Sequence, residues 1–286
     1  MTRRSPLVDA AGLAHALAGD RPPVVVDCRA SLANPAEGRA AWRQAHVPGA
    51  RHASLEDDLS GPHAAGAGRH PLPTPEAFAA TLGRLGIGPD TPVVALDAGD
   101  GAMAAARLWW LLELAGHPGA RVLEGGMAAW REAGLPLQSG EGANESVACP
   151  VRLWRTGLLA DVDELRRRAA EAPGWLVDAR ARPRFRGEVE PIDPVAGHVP
   201  GAVNRPYIEN LADGLRLKPA AELAAAFDAL TGGRRPEDVV LMCGSGVTAC
   251  HHALAMAAAG RPGARVFAPS WSGWIEDASR PVATGD

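Results

Sequence analysis

Cysteine is scarce in this chain of 286 residues, and none of its four cysteines (Cys28, Cys149, Cys243 and Cys250) stands in a Cys-x-x-Cys pair. The spacing argues against a zinc site and against a thioredoxin-like redox pair, so neither metal nor cofactor is expected. Cys243 and Cys250 would be separated by a rise of about 10 Å on one continuous helix, too far for a disulfide. No run of about 18 apolar residues occurs, so no membrane span is expected. A net charge of −4 and a pI of about 6.1 leave no global basic field for nucleic acid or an anionic membrane. The run Arg166-Arg167-Arg168 lies in an acidic-flanked helical pattern and reads as a solvated face. Met1-Thr2-Arg3-Arg4 has the charge of a secretion signal, but an amphipathic first helix containing Asp9 and His15 follows. The chain is therefore expected to be soluble and cytoplasmic.

What is present is apolar content and a repeat. At 47% hydrophobic residues the chain can fill its cores, and its length suits two domains of about 150 residues each. The 33 glycines and 25 prolines are dispersed, as many short α/β connections require. Val24-Val25-Val26-Asp27-Cys28-Arg29 recurs as Trp175-Leu176-Val177-Asp178-Ala179-Arg180, and His46-Val47-Pro48-Gly49-Ala50 as His198-Val199-Pro200-Gly201-Ala202. Val93-Val94-Ala95-Leu96-Asp97 recurs as Val239-Val240-Leu241-Met242-Cys243, and Gly126-Met127-Ala128-Ala129-Trp130 is echoed by Trp271-Ser272-Gly273-Trp274. Offsets of roughly 150 residues in constant order mark a duplicated domain. The break falls in the polar, Gly-rich stretch 137–145, placing one domain at 1–140 and the other at 152–286. In each half, apolar strands alternate with helical patterns, such as 77–85 and 104–114, then 162–170 and 221–230. The expected fold is α/β, each half a parallel sheet covered by helices on both faces, with ligand loops at one sheet edge.

The sharpest local signal is Cys243-Gly244-Ser245-Gly246-Val247-Thr248, set between the apolar run 239–242 and a helical pattern at 253–259 that stops at Gly260. A cysteine at the tip of a strand–turn–helix faces backbone N–H groups and the positive end of a helix dipole. Those groups stabilise a thiolate, the form that attacks sulfur or carbon. The first half carries Asp97-Ala98-Gly99-Asp100-Gly101 instead, which cannot do thiolate chemistry and repels an anion. Only the second half is expected to be catalytic.

Asp-x-Arg after a strand, His-Val-Pro-Gly-Ala and a cysteine loop, in tandem and in order over nearly the whole chain, resemble the two-domain rhodanese sulfurtransferases. The loop Cys-Gly-Ser-Gly-Val-Thr is similar to the 3-mercaptopyruvate sulfurtransferase branch; the thiosulfate-preferring branch typically has Cys-Arg-Lys-Gly-Val-Thr. The resemblance implies a persulfide on Cys243 and an active site at the junction of the halves. It implies catalytic roles for Cys243, Ser245 and His70, and a substrate anion held by Arg184 with the loop residues Gly244, Gly246, Val247 and Thr248. Asp178, Arg180 and Glu190 match supporting positions. Two positions depart from the branch: Ile192 follows Glu190-Pro191 where a second substrate arginine is usual, and Ser54 stands where an aspartate is usual.

The implied cycle is covalent and two-step. The Cys243 thiolate takes a sulfur from 3-mercaptopyruvate, or from thiosulfate, and passes it to a thiol or cyanide. A thioredoxin-like reductant is a candidate partner; nucleic acid and membrane are not. Without cations at 244 and 245 the loop is expected to suit a monoanionic keto acid better than dianionic thiosulfate. A thiosulfate-preferring enzyme and a non-enzymatic persulfide carrier are the alternatives. A cysteine phosphatase would need an arginine closing the loop as Cys-x5-Arg, and Ala249 stands there. Cys28, Cys149 and Cys250 read as small buried hydrophobes. His46 and His198, present in both halves, read as turn-stabilising; Trp271 and Trp274 as core anchors; Arg186 as surface.

Overall fold

Short apolar strands and capped helices alternate along both halves of the computed structural model, which describes residues 5–99, 101, 103–142 and 145–286. Residues 1–4, Asp100, Ala102, Ala143 and Asn144 lie outside the described residues, and with them the charged N-terminal tetrapeptide and part of the Gly-rich stretch. Two compact units divide the chain. One comprises Met1–Gly61, Pro73–Arg155 and Asp213–Arg216, the other Pro62–Leu72, Thr156–Ala212 and Leu217–Asp286.

The first unit contains β1 (Leu7–Val8), α1 (Ala10–Leu17), β2 (Val24–Asp27), α2 (Ala36–Gln44), β3 (Arg51–His52), α3 (Pro75–Arg84), β4 (Val93–Leu96), α4 (Ala104–Leu114), β5 (Ala120–Leu123) and α5 (Gly126–Glu132). Its five strands pair in the order β1-β5-β4-β2-β3, all parallel. Capping sets the helix starts: Asp9 accepts the Gly12 N–H and Thr74 the Ala77 N–H. Val25, Val94 and Leu96 pack with Leu13, Met127 and Trp130 on one face. The alternate residues Val26 and Ala95, fully buried, turn to the opposite face. The Gly-rich stretch is tied back to this unit. His46 and Gln138 exchange backbone hydrogen bonds, and the Glu141 carboxylate pairs with Arg39 and Arg43.

The second unit contains α6 (Val162–Arg168), β6 (Leu176–Asp178), α7 (Arg182–Arg186), β7 (Ala202–Asn204), α8 (Ala220–Thr231), β8 (Val240–Met242), α9 (Thr248–Ala258), β9 (Arg265–Val266) and α10 (Ser270–Trp274). Its four strands pair in parallel in the order β7-β6-β8-β9. Leu176, Val240 and Met242 pack with Leu165, Phe267 and the fully buried Trp271 and Trp274. The two units repeat each other in detail. His46 donates from Nδ1 to the Trp42 carbonyl at 2.7 Å, and His198 likewise to Phe185 at 2.8 Å. Asp27–Arg29 and Asp178–Arg180 are both two-pronged pairs, and each arginine also donates to a carbonyl at 2.7 Å, of Ala45 and Gly197 respectively.

Three sequence expectations need correction. Arg168 is not merely solvated: it pairs with Glu164, one turn earlier on α6, and with Glu171, just beyond the helix end, and lies 4.6 Å from the Trp175 ring centre. Cys149 is only partly buried, on the segment just before the second unit begins. The helix after the cysteine starts at Thr248, five residues before the apolar pattern, so His251 and His252 lie inside α9 and are fully buried.

His252 makes the second unit acid-sensitive. Its Nδ1 accepts from Asn210 Nδ2 at 2.8 Å, and its Nε2 donates to the Arg205 carbonyl at 2.9 Å. Burial, then the charge of His251, push its pKa down from 6.5 to about 3. A folded pKa below the unfolded one means that the neutral ring stabilises fully above pH 6.5 and that stability is lost as pH falls toward 3. Between pH 7.5 and 5 the loss from this residue is about 2 kcal/mol, at about 1.4 kcal/mol per unit. His52, His117 and His198 are lowered by burial too and act in the same direction. Urea unfolding at the two pH values is expected to show a smaller drop in His252→Gln than in the parent; equal drops would sink the assignment.

Candidate active site

The cysteine loop is built from the end of β8, a glycine turn and the start of α9. Cys243 is 1% exposed. Its backbone N–H donates to Ser270 Oγ at 3.1 Å, and its carbonyl accepts the Trp271 N–H at 3.0 Å. The next carbonyl, of Gly244, accepts the Ser272 N–H at 2.8 Å. α10 therefore fixes the loop from beneath. The Gly246 N–H donates to Cys243 Sγ at 3.1 Å. Among the described residues it is the one N–H of Gly244, Gly246, Val247 and Thr248 that reaches the sulfur. A thiolate is the better acceptor for such a bond, and α9 begins two residues further on. The Cys250 thiol donates to the Gly246 carbonyl at 3.2 Å, tying the turn to the first turn of α9, and Cys243 and Cys250 are both free.

Ser270 was not legible as a site residue. It sits at φ +53°, a left-handed conformation costly for any residue but glycine. The repeat explains it. In the first unit Gly126 takes this place at φ +52°, and the Met127 N–H bonds the Asp97 carbonyl as the Trp271 N–H bonds that of Cys243. The serine keeps the strained backbone because its hydroxyl, which also donates to the Phe267 carbonyl at 3.0 Å, holds the Cys243 N–H. In the first unit the Asp97 carboxylate accepts the N–H groups of Gly99 and Gly101, so an acid side chain fills its own turn.

His70 and Ser245 meet. His70 Nδ1 lies 2.7 Å from Ser245 Oγ, with the residues 1% and 6% exposed. The segment bearing His70 belongs to the second unit, where Glu276 accepts the N–H groups of Gly66 and Gly68, and Ser272 Oγ accepts the Arg69 N–H at 3.0 Å. Gly68, at φ +77°, has no room for a side chain: a Cβ there would lie 2.3 Å from the Pro269 carbonyl oxygen.

The arginines form a chain with buried acids. Asp178 holds Arg180, whose guanidinium lies 4.6 Å from the Trp271 ring centre and 3.5 Å from Glu190. Glu190 grips Arg184 through Nε at 3.0 Å and Nη2 at 2.7 Å. Burial disfavours the Glu190 carboxylate, but hydrogen bonds from Arg184 and from the Asp193 and Ile192 N–H groups outweigh it, and its pKa lies below the ordinary value. Asp193 then accepts from Arg184 Nη2 at 3.0 Å and from Arg69 Nη1 at 2.6 Å. The loop itself carries no cation, as its sequence says, but the fold brings Arg184 and Arg69 to it. A Cβ built on Gly244 would lie 3.6 Å from Arg184 Nη1 and 3.5 Å from Arg69 Nη2. Arg186, partly exposed, pairs with Asp286 and points to no part of this arrangement. Arg69 and Asp193 were missed; their only signals were adjacency to His70 and to Glu190-Pro191. No group of three or more His, Cys, Asp or Glu able to hold a metal occurs among the described residues.

Two parallel α/β units, one with a cysteine held over a helix start, define a class, and comparison with known proteins gives its name. The model of the rhodanese-like domain matches twice, at residues 10–133 and 161–277. The chain belongs to the rhodanese family, in tandem form, and is a sulfurtransferase. A Pseudomonas aeruginosa protein named as a probable 3-mercaptopyruvate sulfurtransferase is 47% identical over 92% of this chain and 93% of its own. The bovine thiosulfate sulfurtransferase is 33% identical over 85% of this chain and 81% of its own. The crystal structure of the 3-mercaptopyruvate sulfurtransferase SseA from Escherichia coli superposes with a TM-score of 0.79 at 30% identity, covering 94% of this chain and 99% of that one.

Proposed function

We propose that this sulfurtransferase carries sulfur as a persulfide on Cys243, takes it from 3-mercaptopyruvate and passes it to a thiol or to cyanide, with a thioredoxin-like reductant as one candidate acceptor. Catalysis is assigned to the second unit and support to the first. The supporting observation is the buried His70–Ser245 pair beside the nucleophile. In the first step the thiolate attacks the mercaptopyruvate sulfur, an S–S bond forms, and the C–S bond breaks with its electron pair left on carbon. That enolate must gain a proton to leave as pyruvate. Ser245 Oγ–H, replenished through His70, can deliver it. Thiosulfate leaves as sulfite, which needs no proton at that step. Arg184, fixed by Glu190, presents a planar guanidinium to the donor carboxylate.

A thiosulfate-preferring reading has one observation in its favour, the two guanidinium groups facing Gly244. Steady-state transfer with both donors separates the two. The parent is expected to show the higher kcat/KM with mercaptopyruvate. Ser245→Ala is expected to lower kcat for mercaptopyruvate by about 10²-fold and to leave thiosulfate turnover within about threefold. Equal losses with both donors, or a parent preference for thiosulfate, would exclude the proton-delivery role. No helix among the described residues is long and apolar enough to cross a membrane, and a cytoplasmic site of action is proposed with the acceptor.

A further inference from the structure

We propose that Arg69 is a second donor-binding residue, gripping the donor carboxylate together with Arg184, and that Asp193 positions both. The inference rests on the sulfurtransferase reading and adds a residue, from outside the cysteine loop, that sets which donors bind.

The geometry is that of two guanidinium groups aligned by one acid. Asp193 is buried, and its two oxygens are shared out, Oδ1 to Arg69 Nη1 at 2.6 Å and Oδ2 to Arg184 Nη2 at 3.0 Å. Glu190 takes Arg184 Nε as well. Those bonds leave Arg184 Nη1 and Arg69 Nη2 without a hydrogen-bond partner among the described residues. Both nitrogens face the same point, 3.6 and 3.5 Å from where a side chain at Gly244 would begin. Gly244 follows the nucleophile directly. Its backbone is not left-handed, so conformation does not demand glycine there. What glycine provides is an empty place between two cations with free N–H groups.

A carboxylate fits such a place. It has two oxygens, accepts one charge-assisted bond from each guanidinium, and sets its keto-acid carbon chain beside the loop sulfur. Two acids already balance the two arginines, so what the site offers an anion is a pair of directed N–H donors rather than a large net positive charge. Ile192, about half exposed and apolar, supplies no charge. Arg69 stands next to His70, so the same segment brings the proton carrier and the anion grip to the loop. The side chain of Arg69 is 32% exposed, against 17% for Arg184, which places it on the solvent side of the pair.

The competing role for Arg69 is a strap that merely ties its segment down through Asp193, and the test separates the two. Arg69→Gln can keep a hydrogen bond to Asp193 but loses the charge and the planar fork; Arg69→Lys restores the charge alone. KM and kcat are measured with mercaptopyruvate. Alkylation of Cys243 by iodoacetamide is measured with increasing pyruvate, a carboxylate with no sulfur to transfer. For Arg69→Gln the expected result is a rise of at least tenfold in KM and in the half-protecting pyruvate concentration, with kcat within about threefold. Arg69→Lys should fall between Arg69→Gln and the parent. An unchanged KM, or a fall in kcat at constant KM, overturns the proposal in favour of the strap. Should mercaptopyruvate prove not to be the donor, pyruvate protection still reads the site. Protection of the parent that is lost in Arg69→Gln upholds the carboxylate grip, and failure of pyruvate to protect the parent overturns it. If Arg69→Gln does not fold, the same readouts on Arg69→Lys decide: parent-like values overturn the proposal.

Discussion

Cys243→Ser is expected to abolish sulfur transfer with either donor, at least about 10³-fold, while leaving the fold intact. A serine hydroxyl is protonated at neutral pH and forms no persulfide, so no covalent carrier exists and the two half-reactions cannot be joined. Structurally the exchange is mild. The smaller Oγ can still accept the Gly246 N–H, and the Ser270 and Trp271 bonds to the Cys243 backbone do not involve the side chain. Turnover assays, together with mass analysis for one added sulfur atom after exposure to donor, give the answer. Residual transfer near the parent rate would place the nucleophile elsewhere and leave the cradle a structural turn. Sulfur loading of the parent without release to any thiol or to cyanide would favour a carrier over an enzyme.

Gly246→Ala is expected to damage stability and activity together. Gly246 has φ +79°, and a Cβ there would lie 2.3 Å from the Ala268 carbonyl oxygen. That oxygen belongs to backbone rather than to the far end of a flexible side chain, so the loop itself must shift to make room. The left-handed backbone alone costs an L-residue about 1–2 kcal/mol, and the clash adds to it. Melting is expected to fall by about 6 °C or more. The loop must move to admit the methyl group, and the movement draws the Gly246 N–H away from Cys243 Sγ. A misplacement of about 1 Å at a reacting atom lowers turnover about 10²-fold. Gly244→Ala is the contrast for folding: its nearest neighbours are 3.5 Å away, the distance of ordinary contact, so its melting should match the parent. A Gly246→Ala protein with parent kcat would show that the Gly246 N–H does not matter to the sulfur.

The Cys243 loop and its repeat partner illustrate how far local pattern reaches. An apolar run, a glycine turn and a helical stretch are short-range signals, and the strand–turn–helix they imply is what forms. The start of α9 was less readable because its first turns carry Thr248 and the polar His251 and His252, which break the apolar pattern although the fold buries both histidines. Duplication was readable for a different reason. The arginine of Asp-x-Arg and the histidine of His-Val-Pro-Gly-Ala make equivalent bonds in both units, and the same residues recur in both copies.

The sequence by itself determined that the chain is a tandem of parallel α/β halves and that only the second has a cysteine where the first has Asp97, because strand hydrophobicity, turn glycines and a cysteine between them act within a few residues of one another. Only the tertiary structure decided the charge around the sulfur. Read as sequence, the loop has no cation; folded, it has two, because Asp193 draws in Arg184 from nine residues before it and Arg69 from 124 residues before it. It likewise decided that a glycine place in one half must be a strained serine in the other, since the Cys243 N–H needs an acceptor that Gly126 never had to supply. Electrostatic grip and buried hydrogen bonds depend on where distant side chains arrive, and no local pattern carries that information.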